Sequence, residues 1–208
     1  MKKKTTDNLN SLSSLFSAPP DTLPAFIKSD GHGSAQLAPG QTLCGNLNIR
    51  INSDGLWFYH GSPIGRKELV KLFASVLSRD NEGRYWLTTP AEKGEITVED
   101  APFQAVEMTV HGQGEHQVLE FRTNIDEIVI ANKTHPIRIE TDQRTEEPSP
   151  YILVRKGLEA RLTRAVFYQL VDLGVEKAQK PDNYNGEIDF GIWSSGQFFE
   201  IGKVAVQD

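Results

Sequence analysis

The 208-residue sequence is poor in cysteine and in long apolar segments. Its single cysteine, Cys44, excludes an intramolecular disulfide and a zinc site built from cysteine pairs. No apolar run approaches the roughly 20 residues that a membrane-spanning helix requires. The basic start Met1–Lys4 is followed by Thr, Asn and Ser rather than by the apolar core of a signal peptide. We therefore expect a cytoplasmic protein that does not contact a membrane.

The sequence also lacks the short motifs that carry familiar catalytic chemistry. It has no P-loop, no dinucleotide-binding glycine pattern, no paired-histidine zinc motif and no correctly spaced serine nucleophile elbow. His111, Glu115 and His116 are metal-ligating residue types, but their position around one predicted hairpin tip favours solvated turn residues. The prediction is a non-enzymatic protein with no catalytic residue, no bound metal and no cofactor.

Charge is distributed unevenly along the chain. The formal net charge is −6, from 22 basic and 28 acidic side chains. Residues 1–94 carry a balance of +3, whereas residues 95–208 carry −9. This acidity disfavours long nucleic acid and anionic membrane surfaces as partners. A small anionic ligand in one basic pocket stays compatible with it, and the acidic surface also aids solubility.

Composition divides the chain into an arm and two domains. Residues 1–45 are rich in Ser, Thr, Asn, Pro and Gly, which predicts a flexible arm with one short helix over Asp7–Phe16. The first α+β domain is predicted over residues 46–94 and the second over residues 95–208.

The first domain is predicted to hold one helix among strands. Ser62 and Pro63 are typical of a helix start, so a helix is expected from there to about Leu77. Alternation, aromatic runs and turn residues predict strands at Leu47–Ile51, Leu56–His60, Tyr85–Thr89 and Ile96–Val98.

The second domain is predicted to repeat this order. A helix is expected over Leu158–Leu173. Strands are expected at Phe103–Val110, Gln117–Arg122, Ile128–Ile130, Ile137–Ile139, Tyr151–Val154, Ile188–Trp193 and Phe198–Ile201. Both halves thus contain a β-β-α-β-β order with an aromatic-rich strand before the helix, which predicts an α+β fold produced by internal duplication.

Two predicted helices carry arginines in unusual positions. Arg66 falls inside the apolar arc of the first helix, so its guanidinium must reach solvent or pair with a carboxylate. In the second helix, Arg161, Arg164 and Tyr168 form one stripe at i, i+3 and i+7. Guanidinium groups bind phosphate or carboxylate bidentately, so the stripe suits an anion, although pairing with the acidic surface of this half is an equally simple interpretation.

Three segments resemble one known family. The run from Trp57 to Phe103, WFYHGSPIGRKELVKLFASVLSRDNEGRYWLTTPAEKGEITVEDAPF, resembles the bacterial family named domain of unknown function 1285. The later runs YILVRKGLEARLTRAVFYQLV and GIWSSGQFFEIG resemble the second half of that family. The resemblance implies two similar domains, the second superficially like a pleckstrin-homology fold. It also implies a signalling role and a site at the domain interface for a nucleotide or other nucleic-acid-like ligand.

The residue patterns and the resemblance together predict a ligand site between the domains. If the two domains pack with their helices facing each other, Arg66 of the first helix and the arginine–tyrosine stripe of the second come close together. Both would then lie near the end of the strand that contains Thr88. Aromatic side chains there would stack a base, although each of them lies in a predicted strand, where core packing is the more usual role. The predicted ligand-binding residues are Arg66, Thr88, Thr89, Lys93, Arg155, Arg161, Arg164, Tyr168 and Trp193.

The predicted function is a non-enzymatic sensor or adaptor in bacterial signal transduction. Its ligand would be a small anion, nucleotide-like, or a short nucleic acid, bound in the cleft between the domains. One alternative is a protein-interaction module that binds a segment of a signalling partner without a small-molecule ligand. A further alternative is a hydrolase of phosphate esters.

Overall fold

The computed structural model describes residues 37–176 and 187–205. The chain divides after Pro102 into two compact units, and residues 156–158 belong to the first of them. Residues 1–36, with the predicted helix Asp7–Phe16, lie outside the described residues. Among the described residues, no helix is long and apolar enough to span a membrane.

The first unit contains one six-stranded sheet and one helix, α1 (Lys67–Ser75). Its strands are β1 (Thr42–Ile51), β2 (Trp57–Tyr59), β3 (Ser62–Pro63), β4 (Leu77–Arg79), β5 (Tyr85–Thr88) and β6 (Glu92–Val98). They lie in the order β3-β2-β1-β6-β5-β4, and only the central pair, β1 and β6, is parallel.

The core of the first unit forms on the apolar faces of α1 and the sheet. Leu69, Leu72 and Phe73 recur at helical spacing and are buried. The indole of Trp57 stacks on the Phe73 ring, with ring centroids 6.1 Å apart. Leu87 on β5 is fully buried with them, so one side of the helix and one face of the sheet exclude water.

The second unit contains a six-stranded sheet, a helix and a three-stranded sheet. The larger sheet has the order β10-β11-β12-β7-β8-β9, in which the central pair, β7 and β12, is parallel. Its strands are β7 (Phe103–His111), β8 (Val118–Thr123), β9 (Ile128–Ile130), β10 (Ile137–Thr141), β11 (Pro148–Arg155) and β12 (Leu158–Leu162). Then follow α2 (Arg164–Asp172), β13 (Val175–Glu176), β14 (Glu187–Ser194) and β15 (Gln197–Ala205).

The two six-stranded sheets have the same topology. Numbered within its own unit, each sheet reads 4-5-6-1-2-3, with the first and sixth strands side by side and parallel. The α+β class and the internal duplication predicted from the sequence are therefore confirmed. The repeated element is larger than the predicted β-β-α-β-β order, because it has six strands. The helix lies between the third and fourth strands in the first unit and after the sixth strand in the second.

Both predicted helices begin too early. Ser62 and Pro63 belong to β3, and the N–H of Ile64 still donates to the carbonyl of Trp57 (2.8 Å), so the sheet extends past the expected helix start. Leu158, Ala160 and Leu162 are buried in alternation, which is the two-residue period of a strand. The segment predicted as the first turns of one helix is thus β12, and α2 begins only at Arg164.

The division between the units also differs from the predicted boundary. We predicted the change between residues 94 and 95, but β6 runs from Glu92 to Val98 without interruption. The first unit closes after this strand because its last strand must reach β1 to complete the sheet.

Candidate anion-binding site

The N-terminus of α2 presents unpaired backbone donors. Thr163 is the N-cap residue in extended conformation, and its side chain makes no capping hydrogen bond. Its own N–H donates to the carbonyl of Ala105 (3.1 Å), which fixes the helix start against β7. The first intrahelical bond runs from the N–H of Phe167 to the carbonyl of Thr163 (2.9 Å). Within the described part of the chain, the N–H groups of residues 164–166 thus have no intrahelical acceptor, and they lie at the positive end of the helix.

The charged side chains at this terminus are basic. Arg164 occupies the first helical position, it is exposed, and the first turn contains no acidic residue. Helix starts usually favour Asp or Glu, because a carboxylate offsets the positive end of the helix dipole. In α1, by contrast, Glu68 lies in the first turn. Arg161, three residues before Arg164, donates from its guanidinium to the hydroxyl of Ser149 (3.1 Å). Arg164 thus places a positive charge where the helix begins, and Arg161 lies three residues before it on β12.

An aromatic ring lies beside this positive charge. Tyr168 follows Arg164 by four residues, so both side chains leave the same face of α2. The Tyr168 side chain is 63% exposed, which is unusual for a tyrosine that packs in a core. Arg164 and Tyr168 together offer a guanidinium fork and a flat apolar surface to a molecule in solvent.

The structure divides the predicted arginine–tyrosine stripe between two elements. Arg164 and Tyr168 share α2, but Arg161 lies on β12, so the three side chains are not on one helix face as predicted. The reason is the strand period of residues 158–162, which the helical wheel of the sequence could not represent. Arg161 still lies within three residues of Arg164.

The other predicted residues of the second unit have partners within that unit. Arg155, at the end of β11, pairs with Glu127 and places its guanidinium 5.1 Å from the centre of the Phe103 ring. Trp193 packs edge-on against Phe198, with ring centroids 5.3 Å apart. These contacts stabilise the unit, and a ligand role for the two residues stays a prediction.

Arg66 does not lie within the apolar arc of the helix, where the sequence analysis places it. It is the N-cap residue of α1, with an extended backbone, and it is exposed. The helical wheel does not apply there, because the helix begins at Lys67. Of the two predicted alternatives, the exposed position agrees with a guanidinium that reaches solvent, and a ligand role for Arg66 stays a prediction.

The predicted threonines of the first unit fix a tight turn. The hydroxyl of Thr89 accepts from the N–H of Glu92 (3.0 Å), and its own N–H donates to the carbonyl of Glu92 (2.8 Å). The hydroxyl of Thr88 lies 3.4 Å from that of Ser78 on β4. Both side chains thus satisfy groups of the β4–β5–β6 meander, and their role toward a ligand stays a prediction.

Lys93 belongs to a polar cluster that we define as Asp80, Arg84, Trp86 and Lys93, in which only the Arg84 side chain reaches solvent to a large extent. Lys93 is only 3% exposed, and its ammonium lies 4.7 Å from the centre of the Trp86 ring. Burial lowers the pKa of Lys93, and attraction to Asp80 opposes that change. The cation is thus held by an aromatic face and a nearby carboxylate.

Asp80 is the centre of this cluster. Its carboxylate accepts hydrogen bonds from the backbone N–H groups of Glu82 (3.0 Å) and Arg84 (2.9 Å), from the Arg84 guanidinium (3.0 Å) and from the Trp86 indole (2.9 Å). Burial alone would raise the pKa of Asp80, but the hydrogen bonds from Trp86 and Arg84 outweigh it and lower the pKa to about 2. The sequence analysis missed Asp80, and the signal was an Asp at the start of the Asn81–Gly83 turn.

Ser194 and Ser195 have structural roles. The buried Ser194 hydroxyl donates to the carbonyl of Ala131 (2.7 Å) and accepts from the N–H of Leu119 (3.0 Å). Ser195 donates to the same Ala131 carbonyl (3.1 Å). These bonds attach the β14–β15 hairpin to the larger sheet of the second unit, and both hydroxyl protons are engaged there. The described residues contain no group of three or more His, Cys, Asp or Glu placed to hold a metal.

Comparison with known proteins gives one consistent family. Residues 38–101 match the model described as domain of unknown function (DUF1285), N-terminal domain, and residues 102–201 match that of the C-terminal domain. A DUF1285 family protein from Silicibacter pomeroyi, known as a crystal structure, is 44% identical, with a TM-score of 0.68 over 84% of this chain and 90% of that one. A second DUF1285 family crystal structure, from Shewanella baltica, is 30% identical and has a TM-score of 0.47. The match covers 60% of this chain and 91% of that one. No curated protein matches the chain.

Proposed function

This chain belongs to the DUF1285 family. From the geometry of its second unit, we propose that it is a non-catalytic binding protein for a small phosphate-bearing ligand. The anion site is the start of α2, with Arg164 and Arg161 as its cations and Tyr168 as its aromatic surface. The observation that carries the proposal is the first turn of α2, which has an arginine at its first position and no acidic residue.

The chemistry of this terminus suits a phosphate group. Phosphate oxygens accept hydrogen bonds from free N–H groups at a helix start, and the helix dipole attracts their charge. A guanidinium adds two parallel donors in the geometry that phosphate oxygens need. Arg161 donates to the Ser149 hydroxyl (3.1 Å), which orients its guanidinium. A phosphate is therefore bound by fixed donors rather than by one surface charge.

The Tyr168 ring extends the proposal to a nucleotide-like ligand. An exposed aromatic ring one turn from a phosphate-binding guanidinium provides a stacking surface for a planar base. The resulting ligand class is a base joined to at least one phosphate, and inorganic phosphate alone would use only half of the site.

The groups of the site bind rather than react. Arginine stays protonated in proteins and so is a donor without general-base chemistry. A sensor or adaptor role follows if the ligand has different affinities for two conformations of the protein. This assignment favours the signalling role over hydrolysis of phosphate esters.

A thermal-shift screen of the full chain tests the proposal. The probes are inorganic phosphate and mono-, di- and cyclic nucleotides. A ligand at 100 times its dissociation constant stabilises the folded state by about 2.7 kcal/mol, which raises the melting temperature by a few degrees. We expect a larger shift with a nucleotide class than with phosphate.

Matched charge reversals locate the site. Arg164→Glu should abolish the nucleotide shift, whereas Arg144→Glu, the same change in an exposed loop of the same unit, should preserve it. Absence of a shift with every probe contradicts the proposal and favours the protein-interaction module. Release of phosphate from a nucleotide would instead identify a hydrolase.

A further inference from the structure

The four outer strands of the two six-stranded sheets differ in how their edges are protected. β3 contains Pro63, β4 ends in Arg79, and β10 carries Arg138 and Glu140. Proline and charged residues are the usual means by which proteins prevent edge strands from pairing with other chains. β9, the remaining edge strand, has the sequence Ile-Val-Ile and neither of these protections.

The side chains of β9 divide between core and solvent. Val129 is buried, whereas Ile128 is 52% exposed and Ile130 is 40% exposed. Because side chains alternate along a strand, the two isoleucines lie on the same face of the sheet. Two exposed isoleucines on one face of an edge strand that has neither proline nor a charged residue are typical of an interaction surface.

The backbone of β9 presents hydrogen-bonding groups to the same edge. Thr123 donates to the carbonyl of Glu127, and Ala131 donates to the carbonyl of Leu119, both at 2.9 Å. Odd-numbered residues of this segment thus turn their N–H and C=O groups toward β8. The N–H and C=O groups of Ile128 and Ile130 consequently point away from β8, where no other strand of the described residues pairs with them.

We propose that β9 is the interface through which two copies of this chain associate, by antiparallel pairing of β9 with β9 of a second copy. The sequence of the strand is the same in both directions, so a two-fold axis through Val129 places Ile128 of one copy opposite Ile130 of the other. Each such pair exchanges two backbone hydrogen bonds, and the exposed isoleucines of both copies bury one another. Two-fold dimers are the commonest assemblies of identical chains.

Charged residues flank the strand on both sides. Asp126 and Glu127 precede β9 and pair with Arg122 and Arg155 of their own unit, and the exposed Lys133 follows it. The axis brings Lys133 of one copy toward these ion pairs of the other at both ends of the pairing, where each partly exposed carboxylate can accept from a second cation. A partner strand without a cation at this position would lack this contact, which favours a second copy over an unrelated peptide.

The small area of the proposed contact predicts a weak dimer. Strands of three residues bury less than the roughly 1,200 Å² of a standard specific interface. The dimer is therefore in equilibrium with the monomer and dependent on concentration. Analytical ultracentrifugation of the full 23.2-kDa chain should show the average molecular mass rise from that of one copy toward that of two as the concentration increases from about 1 µM to about 500 µM.

Lysine substitutions test the interface. Ile128→Lys and Ile130→Lys should each raise the dissociation constant at least tenfold, because every substitution occurs twice in the dimer. Leu56→Lys, an equal change of charge at an aliphatic residue of the first unit that is 56% exposed, is the matched control and should leave association unchanged. Equal melting temperatures of the variants would show that the monomer is intact.

A cross-link tests the register. In a Cys44→Ser background, chains with Ile128→Cys and chains with Ile130→Cys should form a disulfide when mixed, because opposed hydrogen-bonded residues have Cα atoms about 5.5 Å apart. Each variant alone should cross-link far less. A wild-type chain that stays monomeric at the highest concentration, or a dimer that neither lysine substitution weakens, would overturn the proposal.

Discussion

At the scale of single residues, Asp80 has the most unusual environment in the first unit. Its side chain is buried, yet it keeps its charge because four donors, two of them backbone N–H groups, surround the carboxylate. The same carboxylate stabilises the buried Lys93 cation by charge attraction. Loss of this one charge therefore affects a turn, an indole donor and a buried cation together.

Asp80→Asn should lower the free energy of unfolding by about 2 kcal/mol. The substitution replaces a charged carboxylate, which accepts from four donors, with a neutral amide whose NH₂ group cannot accept and would face one or more of those donors. Urea denaturation of the full chain measures the change. Glu82→Gln is the matched control: Glu82 also pairs with Arg84 (2.9 Å), but its side chain is 71% exposed, so about 0.5 kcal/mol or less should be lost. An equal effect of the two substitutions would contradict the role given to burial.

The pH dependence of stability should carry the signature of the same carboxylate. The pKa of Asp80 in the folded protein is about 2, below its value of about 3.9 in an unfolded chain. Its stabilising contribution is thus complete above pH 4 and is lost as the pH falls toward 2. The stability difference between wild type and Asp80→Asn, measured by urea denaturation at successive pH values, should shrink over this interval. A difference that stays constant down to pH 3 and below would argue against this carboxylate as the titrating group.

At the scale of elements, the start of α2 carries a positive charge that lowers the stability of the helix. An arginine at the first helical position opposes the helix dipole, and no acidic residue in that turn compensates for it. A helix selected only for stability would have an acid at this place, as α1 has in Glu68. The proposed ligand would supply the missing negative charge.

Arg164→Glu should consequently stabilise the ligand-free protein by about 0.3–1 kcal/mol while it abolishes the nucleotide shift. Thermal unfolding without ligand, compared with Arg164→Gln, separates removal of the unfavourable charge from addition of a favourable one. If Arg164→Glu destabilises the protein, the guanidinium has a structural role that outweighs the dipole.

The elements also show how far sequence patterns reach. Alternation and turn residues predicted nearly every long strand, including the hairpins β1–β2, β7–β8 and β14–β15. The helix starts were wrong because Ser62, Pro63 and residues 158–162 fit a helix locally, and only pairing with neighbouring strands makes them β-structure. Long-range pairing of this kind overrides local propensity.

The candidate site was accessible to sequence reasoning in part. Arg164 and Tyr168 stand out by spacing alone and do share a face of α2. The missing acid in the first turn became meaningful only when the structure fixed Thr163 as the helix cap. Asp80 escaped notice because an aspartate in a turn is common, and only its burial with Trp86 and Lys93 sets it apart.

At the scale of the whole molecule, net charge limits the size of the ligand. A chain with a formal charge of −6 repels the phosphates of a long duplex, whereas one local cluster of arginines still attracts a single phosphate group. We expect no measurable binding of duplex DNA of about 100 base pairs at physiological salt, by fluorescence anisotropy, under conditions in which a nucleotide shifts the melting temperature. Tight binding of the long duplex would contradict this expectation, because it would show that a basic surface outweighs the repulsion from the negative net charge.

The parallel pairing of β1 and β6 has a mechanical consequence for the first unit. β1 is the first strand of this unit and β6 the last, so the chain enters and leaves at opposite ends of the central pair. A force that draws these two chain ends apart would load the hydrogen bonds between β1 and β6 in shear, all at once, rather than peel them open one after another. The duplicated topology thus gives the first unit a clamp against stretching.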